Sequence, residues 1–424
     1  MQTNPRPHTY FNYFYIALVL LWEPLQGTIL TVDGKGRTLF FMTLLSLVIN
    51  FSDKHFRKLF LSKPIAIWGI WCVYAAINTY ACGYTLEHIT YPYFVVNKLI
   101  CPLAVLGASA FEFTKKSRKF LRFALWIFVV YVLIGTFLMD STYIEGGGDI
   151  EGRSSLGNLL ALNTIMILFF ALMRYSYNKD IGGAGLVLLL SFAVGIIVYS
   201  STRKALGAGA ILVIAFIISQ ISWNVKSFLK LGAAVAFFSI GYTYVMEHTP
   251  MGERLKNLNE ETEHFSEKYD EIEDNLFLQA MADRAPQYIL GTELFLKQPV
   301  TGVGLMNFQS KADYPYRLHT EYMVQLCECG LIGSLLFLGF YFSILKHLIR
   351  KFHVSDVDKK LCITMVGGLL ALIFIYFTAW GYSMPHYFVM LGTIIAFSKE
   401  IGLKQETKLI TYENCDTSNA ELVQ

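Results

Sequence analysis

The sequence predicts an all-α fold of about twelve transmembrane helices, with one long loop between helices 9 and 10. Three observations support this prediction. Apolar residues make up 54% of the 424 residues and charged residues only 16%, far from the balance of an ordinary soluble domain. Apolar stretches of about 20 residues, the length of helix that crosses a bilayer, recur along most of the chain. Lys and Arg residues concentrate in alternate connecting loops.

The predicted spans follow the hydropathy pattern from one end of the chain to the other. They lie near residues 12–31, 38–51, 64–82, 93–112, 120–138, 156–174, 182–200, 205–222, 227–246, 321–345, 361–381 and 385–398. The first run has neither a strongly basic segment before it nor a small-residue cleavage site, so we expect it to remain as a span. The chain then divides into residues 1–246 with helices 1 to 9, a loop at 247–320, residues 321–398 with helices 10 to 12, and a polar tail at 399–424.

The orientation follows from the positions of the basic residues. With the N-terminus inside, the cytoplasmic loops contain Lys54, Arg57, Lys58, Lys63, Lys115, Lys116, Arg118, Lys119, Arg174, Lys179, Lys226, Lys346, Arg350, Lys351, Lys359 and Lys360. The opposite loops are poorer in Lys and Arg and richer in acids, as in Glu145, Asp149 and Glu151. We therefore predict that both termini are cytoplasmic and that the 247–320 loop is extracytoplasmic.

The 247–320 loop is much longer than the other connections, and loops of such length are usually functional or disordered. Residues 257–275 are strongly acidic, which predicts a solvated helix or a mobile segment that covers the site. Residues 281–297 are apolar and periodic, which predicts a helix on or in the membrane surface. Pro and Gly residues in 297–308 predict a turn. We interpret the loop as a lid.

Basic and titratable residues gather on the predicted outer face. They are Arg153, Arg203, Lys204, Arg284, Arg317, His319 and Glu321. Arg203 lies between two apolar runs with almost no loop, so its guanidinium is at or just below the interface, which is costly unless an anion meets it. The planar donor fork of arginine suits phosphate oxygens. The pattern indicates a site for a lipid diphosphate that arrives from the bilayer.

Structural roles compete with this interpretation. A single interfacial arginine is more often a snorkelling anchor or the partner of a carboxylate, and for Arg153, Arg317 and Lys204 this is the favoured interpretation. Lys98, near the outer end of the fourth predicted span, either snorkels or faces the same cavity. An isolated His319 is more often a hydrogen-bonded interfacial histidine than a catalyst.

Other classes of site find no support in the sequence. The formal net charge is only +3, so no nucleic-acid partner is implied. The seven cysteines show no paired zinc-type spacing. The outer loops contain no Asp-x-Asp signature, so we expect neither a metal nor another cofactor.

Three motifs resemble the O-antigen ligase and polymerase superfamily. They are Ser-Thr-Arg-Lys-Ala (201–205) at a span end, Asp-Arg (283–284) before an apolar helix that ends in Gln-Pro-Val-Thr-Gly-Val-Gly (298–304), and His-Thr-Glu-Tyr-Met-Val-Gln-Leu-Cys-Glu-Cys-Gly-Leu-Ile-Gly (319–333). Their order, their spacing and the long loop all agree, and the resemblance is strongest over about 195–345. Thr320 departs from the family pattern, because the residue after the histidine is often Asn in relatives.

This resemblance implies an all-helical lipid-glycan transferase in the bacterial inner membrane, with a periplasmic active site and a polyprenyl (undecaprenyl) diphosphate-linked glycan donor. By motif, the catalytic residues are Arg203, Arg284 and His319. The two arginines stabilise the charge that develops on the diphosphate, and His319 takes the acceptor proton or orients the acceptor. Glu321 is the reserve base, while Lys204, Arg317, Arg153 and Lys98 are candidate substrate-binding residues.

Two family activities remain open. A polymerase, which we favour, transfers the glycan to another lipid-linked repeat unit, whereas a ligase transfers it to lipid A-core; a chain-length regulator is a further candidate partner. A polysaccharide transporter or flippase is a different class, but it predicts repeated halves and midplane sites, which the sequence does not show. A sensor with a ligand-binding loop does not explain why separate segments each supply a cation to one face.

Overall fold

The computed structural model describes residues 7–22, 37–85, 89–138, 155–178, 181–199, 202–220, 243–244, 247–248, 285–352, 356–377, 379 and 381–398. All regular structure in these residues is helical. The helices are α1 Pro7–Leu21, α2 Arg37–Phe51, α3 Lys54–Phe60, α4 Lys63–Ala81, α5 Tyr91–Phe94, α6 Cys101–Leu138, α7 Ser155–Asn178, α8 Gly183–Tyr199, α9 Arg203–Gln220, α10 Ala285–Lys297, α11 Phe308–Ala312, α12 Glu321–Met323, α13 Cys329–Lys351, α14 Asp356–Ile375 and α15 Pro385–Ser398. The π-helical segments Val95–Ile100 and Val324–Glu328 precede α6 and α13.

The predicted all-α, membrane-type architecture is confirmed for this part of the chain. Three described helices are long and apolar enough to cross a bilayer: Tyr91–Gly135, Leu160–Tyr177 and Glu321–Lys351. A fourth span exists if α3 and α4, which meet at a bend of 72°, count as one. The other apolar helices are shorter. The 227–246 span and the acidic 257–275 segment lie outside the described residues, except 243–244, so the count of twelve and the domain division remain predictions.

Several helix positions agree closely with the hydropathy pattern. For example, α2 and α4 coincide with the predicted 38–51 and 64–82 spans to within a residue. Of the predicted 281–297 helix, residues 285–297 form α10, and residues 281–284 lie outside the described residues. The predicted spans at 93–112 and 120–138 form one helical stretch, which is interrupted at Lys116 by non-helical backbone angles (φ −148°, ψ 62°). This interruption falls in the predicted basic loop.

The tenth predicted span is not a continuous helix, because its helical path breaks at Gly330 (φ 63°, ψ −167°) after the π-helical turn Val324–Glu328. Only glycine adopts such angles readily. The break makes room for the turn at 299–304. A Cβ atom on Gly330 would lie 2.5 Å from the backbone N of Gly302, and one on Gly302 would lie 2.6 Å from the carbonyl O of Cys327.

Small residues and aromatic rings make the helix contacts. A Cβ atom on Gly367 of α14 would lie only 2.3 Å from that of Ala215 in α9, which is the close approach expected of membrane helices. Between α4 and α13, the stacked rings of Trp68 and Trp71 are 4.5 Å apart, and Phe340 packs against Trp68. These contacts fix α4 and α13 side by side and hold the broken helix in place.

A buried polar cluster joins α1, α2 and α6 in a different part of the bundle. The amide of Asn12 donates to the side-chain oxygen of Asn50 (2.9 Å) and to one carboxylate oxygen of Glu112 (2.8 Å). All three side chains are buried. Because an unpaired polar group is costly in the bilayer, such bonds specify which helices pack together.

Candidate functional site

Three segments that carry predicted site residues meet at the C-terminal end of α14. The hydroxyl of Tyr322 donates to the carbonyl O of Ile373 (2.9 Å), and the hydroxyl of Tyr288 in α10 donates to that of Phe377 (3.2 Å). The backbone N–H of Glu321 donates to the carbonyl O of Tyr376 (2.9 Å). The long loop and the start of the tenth span are therefore both fixed to this end of α14.

Helix α9 reaches the same end of α14. A Cβ atom on Gly207 would lie 2.4 Å from the ring of Phe374, so the two helices touch there. Arg203 is the first residue of α9 and precedes Gly207 by about one helical turn. The fold therefore places the start of α9, with Arg203, close to the end of α14; the Arg203 side chain is not among those described.

His319 is linked to the helix that follows Arg284. Its backbone N–H donates to the side-chain oxygen of Gln287 (2.9 Å), and Gln287 is buried in the first turn of α10. Arg284 is the residue directly before α10 and lies outside the described residues. This bond ties the His319 segment to the first turn of α10, three residues after Arg284 in the sequence. The imidazole of His319 is half-buried.

Thr320 caps the helix that follows His319. Its hydroxyl accepts a hydrogen bond from the backbone N–H of Met323 (3.3 Å). Asn is also a favoured N-cap residue, so either residue at position 320 can start this helix.

Glu321 is fully buried, and its carboxylate is surrounded by hydrogen-bond donors. One oxygen accepts from the backbone N–H groups of Gly381 (2.5 Å) and Tyr382 (3.1 Å), and the other accepts from the side-chain amide of Gln325 (2.7 Å). Gln325 in turn accepts from the indole N–H of Trp71 (2.8 Å). This arrangement fixes the 381–382 backbone to the tenth span and gives Glu321 an evident structural role.

Arg317 lies at a small pocket close to the His319 segment. Its Nε–H donates to the side-chain oxygen of Gln309 (3.1 Å), and it lines the pocket with Met306, Phe308, Gln309, Leu318, Val324, Glu328 and Tyr382. Tyr84 is also close to the guanidinium. Burial raises the pKa of Tyr84 to about 12, and the positive charge of Arg317 offsets part of this increase. The phenol therefore remains protonated at neutral pH.

The turn at 299–304 is held from two sides. Backbone N–H groups of Val303 and Gly304 donate to the carbonyl oxygens of Cys327 (3.0 Å) and Glu328 (2.8 Å). From α4, the amide of Asn78 donates to the carbonyl O of Thr301 (2.8 Å). Both glycines have positive φ, 70° for Gly302 and 88° for Gly304. The predicted turn is thus confirmed, and it is an ordered part of the bundle.

The remaining predicted residues are more scattered. Lys204 is half-buried in the first turn of α9, next to Arg203. Lys98 lies in the π-helical segment Val95–Ile100, which packs against α2 and α4. In the described part of the chain, Lys98 takes no part in the contacts that join α9, α10 and α12 to α14. Arg153 lies outside the described residues.

Several residues that organise this region were not predicted from the sequence. Gln287, Gln309 and Asn78 were not singled out, and Glu328 was noted only as part of a motif. Asn78 carried a signal, because a polar side chain in an apolar span usually has a defined partner. Gln287 and Gln309 carried none, since polar residues are ordinary in a loop.

Comparison with known proteins supports the motif prediction. Residues 184–338 match the family model described as O-antigen ligase. This segment includes Arg203, Arg284, Arg317, His319 and Glu328. No curated protein shows significant similarity to the chain. The apolar helices and the family match together indicate a membrane protein with an O-antigen ligase or polymerase type of function. The resemblance predicted from the motifs is confirmed for this part of the chain: residues 184–338 are similar to the O-antigen ligase family, which supports the O-antigen ligase and polymerase superfamily.

Proposed function

We propose that the chain is a membrane glycosyltransferase of the bacterial inner membrane. It moves a glycan from a polyprenyl (undecaprenyl) diphosphate donor to a sugar hydroxyl at the periplasmic face. The favoured acceptor is another lipid-linked repeat unit, which makes the protein a surface polysaccharide polymerase. No metal or other cofactor takes part.

The observation that carries this proposal is the convergence of three segments on the end of α14. The start of α9, the start of α10 and the segment before α12 come from distant parts of the chain, and each carries one residue of the proposed set. These residues are Arg203, Arg284 and His319. The hydrogen bond from His319 to Gln287 supports the pairing of the last two.

In the proposed reaction, the acceptor hydroxyl oxygen attacks the anomeric carbon of the donor sugar. The bond between that carbon and the diphosphate oxygen breaks as the new glycosidic bond forms. The diphosphate leaves with the bonding electron pair, and the guanidinium groups of Arg203 and Arg284 stabilise its growing charge. His319 accepts the hydroxyl proton.

Glu321 is less suited than His319 to act as the base. Its two carboxylate oxygens already accept three hydrogen bonds, and its side chain is fully buried. A base must reach the proton that it removes. We therefore keep Glu321 as a structural residue in the proposed mechanism.

The test uses purified protein in nanodiscs, with polyprenyl diphosphate-linked repeat units as the only glycan and EDTA present. The Arg203→Ala and Arg284→Ala variants should lose transfer, and Lys should restore little because it lacks the bidentate fork. His319→Ala should be slower by roughly 100-fold, while donor binding persists. Arg350→Ala is the matched control, because Arg350 is an exposed arginine near the C-terminal end of α13. Near-normal transfer by all three Ala variants would reject the proposed site.

A ligase is the second candidate, and the description of the matching family model favours it. The same assay separates the two activities. A ladder of products from repeat units alone supports a polymerase. Transfer that starts only after lipid A-core is added identifies a ligase and refutes the favoured acceptor.

A further inference from the structure

Glu328 lies at the point where the tenth span breaks, and its carboxylate is used entirely within the protein. The side chain is 3% exposed. One carboxylate oxygen accepts from the backbone N–H of Met306 (2.9 Å), and the other accepts from the backbone N–H of Phe308 (3.2 Å). Its carbonyl oxygen accepts from Gly304 N–H (2.8 Å). A single residue therefore binds three positions of the 304–308 segment.

The backbone that Glu328 binds is strained and needs support. Met306 has φ of 65°, a conformation that costs a non-glycine residue roughly 1–3 kcal/mol unless its surroundings impose it. Phe308 is the first residue of α11, where backbone N–H groups have no partner within the helix. The carboxylate supplies acceptors to both residues and so defines where α11 starts.

From α11 the contacts lead directly to Arg317. Gln309 is the second residue of α11, and its amide donates to the carbonyl O of Pro315 (2.7 Å). Its side-chain oxygen accepts from the Nε–H of Arg317 (3.1 Å). Gln309 thereby closes the 309–317 loop onto itself. Buried Leu318 and then His319 follow immediately.

We propose that Glu328 is a positioning residue for the glycosyl-transfer site. Its carboxylate fixes the 304–308 backbone, and this fixes the start of α11. Gln309 of α11 binds Arg317 and so determines where Arg317 lies. His319 follows Arg317 by two residues, so its position depends on the same contacts. Gln287 accepts a hydrogen bond from the backbone N–H of His319, so the histidine backbone has a second point of attachment. This inference rests on the proposed function for its effect on rate. The contact between Glu328 and the turn is tested separately, by the rate at which the Cys82 thiol reacts with a maleimide.

The test substitutes Glu328→Gln, which keeps the volume but presents an NH2 group to one of the two backbone N–H donors. Glu112→Gln is the matched control, because Glu112 is also a buried glutamate but binds Asn12 in a different part of the bundle. We expect Glu328→Gln to lower kcat by 10- to 100-fold, since small displacements at a reacting centre have effects of that order. KM for the donor should stay within about 3-fold of wild type, because Glu328 itself does not bind the donor. Glu112→Gln should leave both parameters unchanged.

Native Cys82 reports on the turn without any glycan present. Its thiol is half-buried and lies 3.6 Å from the carbonyl O of Gly302. Burial raises the pKa of the Cys82 thiol, with Lys311 offsetting part of the effect, so maleimide labelling is measured near pH 8.5 and assigned by peptide mass spectrometry. We call the two hydrogen bonds from the Glu328 carboxylate to Met306 and Phe308 the latch. If the latch holds the turn, the Glu328→Gln variant should be labelled at Cys82 at least 3-fold faster than wild type and Glu112→Gln.

Gln309→Leu provides a second variant that leaves the buried carboxylate intact. It should lower kcat as Glu328→Gln does, but leave Cys82 labelling at the wild-type rate, and the double variant should be little worse than the worse single one. An unchanged labelling rate in Glu328→Gln would overturn the latch. A raised KM with unchanged kcat would instead identify Glu328 as a substrate contact and refute the positioning role. Absence of any transfer by wild type would reject the proposed function. The labelling result would still show whether the Glu328 carboxylate holds the turn.

Discussion

Gly330→Ala is expected to destabilise the protein strongly. Its added Cβ atom would lie 2.5 Å from both the backbone N of Gly302 and the carbonyl O of Val300. Neither atom belongs to a flexible side chain, so the 299–304 turn must move by about 1 Å to reach ordinary van der Waals distance. The backbone angles of Gly330 add roughly 1–3 kcal/mol for any residue with a side chain.

The movement would also weaken two hydrogen bonds that join the turn to the residues directly after the break. The N–H of Leu331 donates to the carbonyl O of Pro299 (2.9 Å), and that of Ile332 donates to Val300 (3.3 Å). At about 1 kcal/mol for each bond, the total cost is about 3–5 kcal/mol. Gly339→Ala is the control in the same helix, because its Cβ would meet only Ile67, at 4.0 Å, and alanine favours a helix interior.

The assay is thermal unfolding of the purified variants in one detergent, at one scan rate, since unfolding of a membrane protein is often irreversible. We expect a clearly lower Tm for Gly330→Ala and an equal or higher Tm for Gly339→Ala. A Gly330→Ala variant that melts with the wild type would show that the turn and the helix break are not packed as described.

Two further predictions test the anchoring of His319 and the orientation of the chain. Gln287→Leu keeps the volume but removes the acceptor of the His319 N–H, so transfer should slow roughly tenfold at normal protein level, measured in the nanodisc assay; a wild-type rate would show that this anchor is dispensable. A cysteine introduced in 257–275 should react with an impermeant thiol reagent in intact spheroplasts, whereas Cys415 should not. Labelling of Cys415 from outside would reverse the predicted orientation.

Hydropathy predicted the positions of helices well because a span is a local property. About 20 apolar residues satisfy their own backbone hydrogen bonds and need no distant partner. This is why α2 and α4 agree with the prediction to within a residue. The break in the tenth span was not predicted, because it depends on the turn at 299–304, about 30 residues earlier in the chain.

The candidate site was predictable where it consists of charged residues in family motifs. Arg203, Arg284 and His319 were predicted in this way, and their roles are proposals. The residues that hold such a site are harder to recognise. Gln287 and Gln309 are unremarkable in the sequence, and their importance follows from single hydrogen bonds to His319 and Arg317.

The sequence alone determined the membrane class of the protein, most of the helices that the structure describes and the resemblance of residues 184–338 to a superfamily, because composition, hydropathy and short motifs are all local. Only the tertiary structure decided that α9, α10 and α12 meet at the end of α14, and that Glu321 and Glu328 bind backbone N–H groups. Such contacts join residues that are distant in the sequence, as far apart as Gly207 and Phe374. Their existence depends on how the helices pack, and no local pattern encodes that packing.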